Sequence, residues 1–314
     1  SSHVRIGTFQ YFAARQDVDG LKTLADYVIE RHYPALGQAE KPYLELLRAV
    51  AFAQGELVAR WLGVGFIHGV MNTDNMTLSG ETIDFGPCAF LDEYDQMKVF
   101  SSIDQGGRYA YRNQPGIAQW NIARLAECLL PLIDEDEDKA VLSANHVLSE
   151  FGQHFQTAWL AVFRRKIGLV DEEEGDGELV QALLAAMQEG EADFTLTFRR
   201  LCDVAADAAD ETFLSSFGES GKAAAWLQTW RARLEREKAS PQERTAAMRA
   251  VNPAVIPRNH KVEEALAAAN YGDLSFFERL LAAVERPYED RPEFEAYTVP
   301  PKPKERVLQT FCGT

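Results

Sequence analysis

Apolar residues recur at helical spacing along most of this chain. Between Val18 and His32, the residues Leu21, Leu24, Ala25, Val28 and Ile29 stand three and four apart, which predicts one buried face of an amphipathic helix ended by Pro34. Pro42 to Leu62 is nearly continuous in apolar content, opens on a proline suited to a first turn, and predicts a buried helix. It leads into GVGFIHGV, whose glycines predict a loop. The one clear strand signal follows, where MTL and ETID flank Ser79-Gly80 as two short strands joined by a tight turn. After residue 113 the period predicts helices near 115–132, 139–167, 177–189, 193–206, 219–237, 241–249, 261–270 and 274–285. Pro287 to Thr314, with PPKPK inside it, reads as an irregular tail running over the helices. The expected fold is mainly α with a short β-hairpin, and no internal repeat is visible.

Composition narrows the classes of partner. The 48 acidic and 32 basic residues give a formal charge of −16, a field that repels phosphate backbones and anionic lipid heads, so neither nucleic acid nor a membrane is expected. No apolar run approaches the roughly 20 residues that a spanning helix needs. The four cysteines show no CxxC spacing, which makes a reducing, cytoplasmic setting the default. Cys128 and Cys202 lie in apolar helical patterns and are expected to be buried and inert, whereas Cys312, on the polar tail, is expected to be exposed and regulatory. Trp226 and Trp230, four apart, read as core, and the acidic run Asp134 to Asp138 reads as a solvated face. The chain opens SSHVRIG without a Met or a secretory leader, which reads as part of a longer polypeptide.

Chemistry concentrates in HGVMNTDNMTLSGETIDFGP, His68 to Pro87. A His followed seven residues later by an Asn, and then an Asp-Phe-Gly, follows the order of the kinase loops that hold Mg²⁺ and ATP, but Val70 stands where those loops keep a catalytic Asp. The amide oxygen of Asn75 and the carboxylate of Asp84 are hard donors of the kind Mg²⁺ prefers, and the hairpin between them is expected to bring them together. Asp74, beside Asn75, can supply the carboxylate that Val70 lacks and accept a hydroxyl proton; a turn residue satisfying local N–H groups is the plainer alternative. His68 is expected to pin the loop to the Asp-Phe-Gly segment rather than act as acid or base.

The stretches GFIHGVMNTDNMTLSGETIDFGPCAFLDEYD, GGRYAYRNQPGIAQWNIARLAECL and NPAVIPRNHKVEEALAAANYGD, with ERPYED and a final Cys-Gly-Thr, closely resemble the selenoprotein O family (SelO, also YdiU) from end to end. That resemblance implies a kinase-like fold and protein adenylyltransferase activity: transfer of AMP from ATP, with Mg²⁺ or Mn²⁺, to Ser, Thr or Tyr hydroxyls of proteins, with pyrophosphate released. It implies Asp74 as catalytic base, Asn75 and Asp84 as the metal pair, and Arg5 of SSHVRIG, with Asp84, on the nucleotide. It also implies an N-lobe upstream of this chain, carrying the ATP-binding Lys and its Glu partner. Residues 1–135 are then the core of a kinase-like C-lobe and 136–314 a helical C-terminal region. Some bacterial relatives pair a Cys between DFG and GRY with the C-terminal Cys. Here the aligned position is Phe100, and Cys88 is the remaining candidate partner for Cys312. An ordinary phosphotransferase and a catalytically silent scaffold stay open as rival readings.

Overall fold

A computed structural model describes residues 2–207, 209–218 and 221–311. The chain opens with α1 (Ile6–Ala13), α2 (Val18–His32) and α3 (Pro42–Gly63). The strands β1 (Phe66–Ile67) and β2 (Ala89–Phe90) follow, and then α4 (Gln114–Ile133), α5 (Glu137–Lys166), α6 (Asp176–Glu189) and α7 (Phe194–Val204). The remainder is α8 (Glu211–Leu214), α9 (Lys222–Leu234), α10 (Pro241–Arg249), α11 (Asn259–Asn270) and α12 (Ser275–Val284). The fold is thus mainly helical, and its helices fall close to the segments that the apolar period predicts.

Helix α3 is the axis, packed along both α4 and α5. Leu46, Leu47, Val50, Ala51, Val58 and Leu62 are buried along it, each of the larger side chains contributing about 1.5–3 kcal/mol relative to exposure. A methyl group at Gly63 would lie 2.5 Å from Val162 Cγ1, so a larger residue at the end of α3 would force that side chain to shift. Trp226 and Trp230 are core as expected: their rings stack at 5.7 Å, and their indole N–H groups donate to the Leu179 and Ile167 carbonyls. In the acidic run, Asp136 caps α5 by accepting from Lys139 N, and Asp134 pairs with Lys41. Cys128 and Cys202 are buried and free, also as expected.

The short β-hairpin is different from the expectation. The regular strands are β1 and β2, which pair antiparallel with Phe66 opposite Phe90 and Ile67 opposite Ala89. Between 76 and 84 only one antiparallel bridge forms, Met76 with Thr82. Thr77 closes the turn with its side chain, donating to the Glu81 carbonyl and accepting from Glu81 N, where a ladder would use backbone. The other edge of 76–78 pairs with 4–6, through Ile6 N to Met76 O and Leu78 N to Val4 O, each 3.0 Å. The backbone then leaves extended geometry at Asp84, whose φ of 56° lies in the left-handed region.

The tail is largely irregular, with one 3-10 turn at Pro292–Tyr297. Arg306 pairs with Glu93. Thr310 is then fixed on three sides: its N–H donates to Phe100 O at 2.7 Å, its carbonyl accepts from Ser102 N at 2.9 Å, and its hydroxyl donates to Pro87 O at 2.5 Å. Cys312 lies outside the described residues.

Candidate active site

Residues 66–87 hold little regular structure, so their backbone groups must find partners elsewhere. Buried amide side chains on the helices supply them. Gln54 of α3 donates to Thr77 O at 2.6 Å, and Asn121 of α4 donates to Met71 O at 2.9 Å. Gln114 works both ways, donating to Phe66 O at 2.9 Å and accepting from His68 N at 3.0 Å. Tyr33 and Trp61 add side-chain donors to Leu78 O and Thr82 Oγ1. This cradle fixes the shape of the loop.

His68 is fully buried, beside Trp61 and Phe66, with Nε2 2.9 Å from the Ile83 carbonyl. A carbonyl only accepts, so Nε2 carries the hydrogen. Burial pushes the imidazole pKa below its ordinary value and keeps the ring neutral. It therefore ties the loop to the residue just before Asp84, the pinning contact expected of it.

The predicted site residues occupy the rim of this cradle. Arg5 Nη2 lies 3.0 Å from Asp84 Oδ2, with both side chains more than a third exposed, so the pair contributes on the order of 1 kcal/mol or less to stability. Arg5 Nε is buried and has no hydrogen-bond partner among the described residues. Asn75 donates from Nδ2 to Val70 O at 2.9 Å, which leaves the lone pairs of Oδ1 as its possible ligand to a cation. Asp74 is exposed on a 3-10 turn capped by Asn72, whose Oδ1 accepts from Asp74 N. Among the described residues nothing forms an ion pair with the Asp74 carboxylate. Nor do three His, Cys, Asp or Glu side chains gather there to hold a metal by themselves. An amide oxygen and a carboxylate with open positions nonetheless fit Mg²⁺, which keeps waters and phosphate oxygens in its shell.

Helix α1 was not read from the sequence, and it carries two residues that shape this rim. Thr73 donates to Gln10 Oε1 at 2.6 Å, which fastens the turn to the helix. A methyl group at Gly7 would lie 1.9 Å from Asp74 Oδ1, so Asp74 can rest against α1 only because residue 7 has no side chain. The available signal was Ile6 and Phe9, both buried and three apart. Gln54, Gln114 and Asn121 were also missed; Gln54 is a polar residue in an otherwise apolar helical run, whereas Gln114 follows Arg112 and Asn113 at the very start of α4. Near the Asp-Phe-Gly, Cys88 is free, half-buried and donates to Phe85 O; burial pushes its thiol up to about 11.

The chain is mainly helical and belongs to the SelO family: the family model described as Protein adenylyltransferase SelO matches residues 1–285. Proteins named "Protein nucleotidyltransferase YdiU" are similar throughout. The one from Rhizobium johnstonii is 64% identical over 316 residues, covering 100% of this chain and 63% of its own length. Those from Rhizobium meliloti and Bradyrhizobium diazoefficiens are 62% and 55% identical, again over 100% of this chain and 64% of theirs. The chain thus spans a little under two thirds of the length of these curated relatives.

Proposed function

We propose that the full-length protein is a protein adenylyltransferase, with residues 1–135 as the core of a kinase-like catalytic lobe and 136–314 as its helical extension. The observation that carries this reading is the rim: a guanidinium with a buried, unpartnered N–H beside the exposed Asp84 carboxylate, and a second free carboxylate, Asp74, on the adjoining turn. An arginine so placed suits phosphate oxygens, which accept in the geometry its fork offers. ATP is the substrate, and Asn75 Oδ1 and Asp84 would hold Mg²⁺ or Mn²⁺, which when bound offsets phosphate charge. In the reaction, the hydroxyl oxygen of a protein Ser, Thr or Tyr bonds to the α-phosphorus as the α–β bridging bond breaks and pyrophosphate leaves. Asp74 takes the hydroxyl proton. The setting is the cytoplasm, where ATP and protein hydroxyls meet.

The test is intact-mass analysis of an acceptor protein incubated with full-length enzyme, ATP and Mg²⁺. An AMP adduct lost in Asp74→Asn, a variant that still folds, is the expected result. A phosphate adduct instead identifies a phosphotransferase, and no adduct together with no metal-dependent heat on ATP titration identifies a silent scaffold; either overturns the proposal.

A further inference from the structure

Between Lys98 and Arg124 four basic residues stand against one acid, Asp104, in a chain whose formal charge is −16. Arginines elsewhere meet carboxylates, as Arg48, Arg164, Arg233 and Arg258 do. Arg108 is exposed, and its guanidinium has neither an ion pair nor a hydrogen bond among the described residues. Its place is nonetheless fixed. Asp104 accepts from Arg108 N at 2.8 Å and from Tyr109 N at 2.7 Å, and Asn113 donates to Gly107 O at 2.8 Å, which closes the turn on itself. The guanidinium then lies over Trp120, 4.8 Å from the ring centroid, and Arg124 lies 5.3 Å from the same centroid. Stacking on an aromatic face holds the guanidinium plane and leaves its N–H edges open, the edges that bind a carboxylate through two parallel hydrogen bonds. Arg124 already spends an edge on Glu127 at 2.6 Å, so Arg108 is the open member of the pair.

Helix α4 joins this cationic patch to the candidate active site. Trp120 and Arg124, one turn apart, share a face of the helix, and Asn121 projects from the neighbouring one. Asn121 Nδ2 donates to Met71 O at 2.9 Å, three residues before Asp74, and Gln114, at the start of the same helix, accepts from His68 N. The patch therefore flanks the loop that carries Asp74. An exposed aromatic, 40% accessible, beside an unpaired cation on a strongly acidic protein suits a partner that brings its own carboxylates. We propose that Arg108, held on Trp120, receives a carboxylate of the acceptor protein, so that the hydroxyl to be modified lies in an acidic segment. This rests on the adenylyltransferase reading for what is done to the bound segment. It adds the chemical class of the acceptor.

The experiment measures fluorescence anisotropy of a labelled glutamate–tyrosine peptide, and of a lysine–tyrosine peptide of the same length, titrated with the full-length protein at low salt. The acidic peptide should bind and the basic one should not, and Arg108→Glu should weaken the acidic peptide by roughly tenfold or more. Arg286→Glu makes the same change of net charge at another exposed arginine and should leave binding unaltered. Where Arg108→Glu fails a thermal melt, Arg108→Gln takes its place with the same expectation. No binding of the acidic peptide, or equal weakening by Arg108→Glu and Arg286→Glu, overturns the proposal. ATP is the other source of anionic oxygens: loss of Mg²⁺-dependent ATP heat in Arg108→Glu with peptide binding intact would make Arg108 a nucleotide contact and also overturns it. AMP transfer is assayed in parallel on the unmodified enzyme. Transfer without Arg108-dependent peptide binding sinks this inference alone, and Arg108-dependent binding without transfer to any acceptor sinks only the assigned activity.

Discussion

The loop at 66–87 and the helices α5, α6 and α9 both contribute side chains to the core, yet they are held in different ways. In the helices, apolar faces meet over long stretches, and a buried polar centre among them is paired within the helices and the turn before α6: Asp176, 1% exposed, accepts from Arg164 Nε and Arg233 Nε, each at 2.8 Å. Stability there is spread over many contacts that each contribute little alone. The loop has almost no ladder, and its form rests on Gln54, Gln114, Asn121, Thr77 and His68. Its specification is concentrated. Changing one of those residues removes a contact that no neighbour duplicates, whereas a surface change on α9 is absorbed by the rest of the face.

Gly7→Ala makes the sharpest break. Alanine favours a helix, so stability should stay within about 1 kcal/mol, but the Asp74 carboxylate must move by more than 1 Å, and AMP transfer by the full-length enzyme should fall about 100-fold. A thermal melt beside a transfer assay checks both halves, and unaltered turnover would show that the position of Asp74 is immaterial. Gln54→Leu comes next. It strips the Thr77 carbonyl of its buried donor and should cost about 1–3 kcal/mol by denaturant titration; a cost near zero would mean that water replaces the amide.

The last test addresses the helical side, where the effect at any one pH step is modest. Lys166 is buried, with Nζ donating to Asn252 Oδ1 at 2.7 Å, and desolvation lowers its pKa to about 7. The unfolded chain holds that proton up to the ordinary lysine range, so between about pH 7 and 10.5 it binds more protons than the native state, and stability from this group rises with pH. Below pH 7 both states are charged and its contribution stays at its lowest. Lys166→Met should remove up to about 1.4 kcal/mol per pH unit of that slope. Identical pH profiles for the two proteins would mean that the amine is charged in the fold.

The two regions also differ in how much of them could be read beforehand. Amphipathic period shows wherever a helix buries one face, and α2, for example, spans Val18–His32 as Leu21, Ala25 and Val28 require. In the loop, residue types gave the candidates Asp74, Asn75 and Asp84, because amide oxygen and carboxylate have chemistry legible one residue at a time; Arg5 came only from the family resemblance. Their supports were not legible. Gln54 meets Thr77 across 23 positions and Asn121 meets Met71 across 50, and no local pattern announces a contact at such range. The hairpin was overread for a related reason: Met76 to Leu78 has strand character, but its backbone is shared with residues 4–6, and Thr77's hydroxyl takes the place of a second bridge. Helix α1, only eight residues long, gave too short a period to stand out.

Thr310 adds a consequence in time. Its hydroxyl reaches Pro87 across 223 residues, so the segment after Asp-Phe-Gly cannot be fastened there until nearly all of this chain has been made. At about 5–20 residues per second, the ribosome needs on the order of 10–45 s to cover that distance. During that interval a nascent chain can carry the complete loop, its cradling helices and its rim, and still lack the last strap across Pro87 and Phe100. Assembly of this region finishes with the tail.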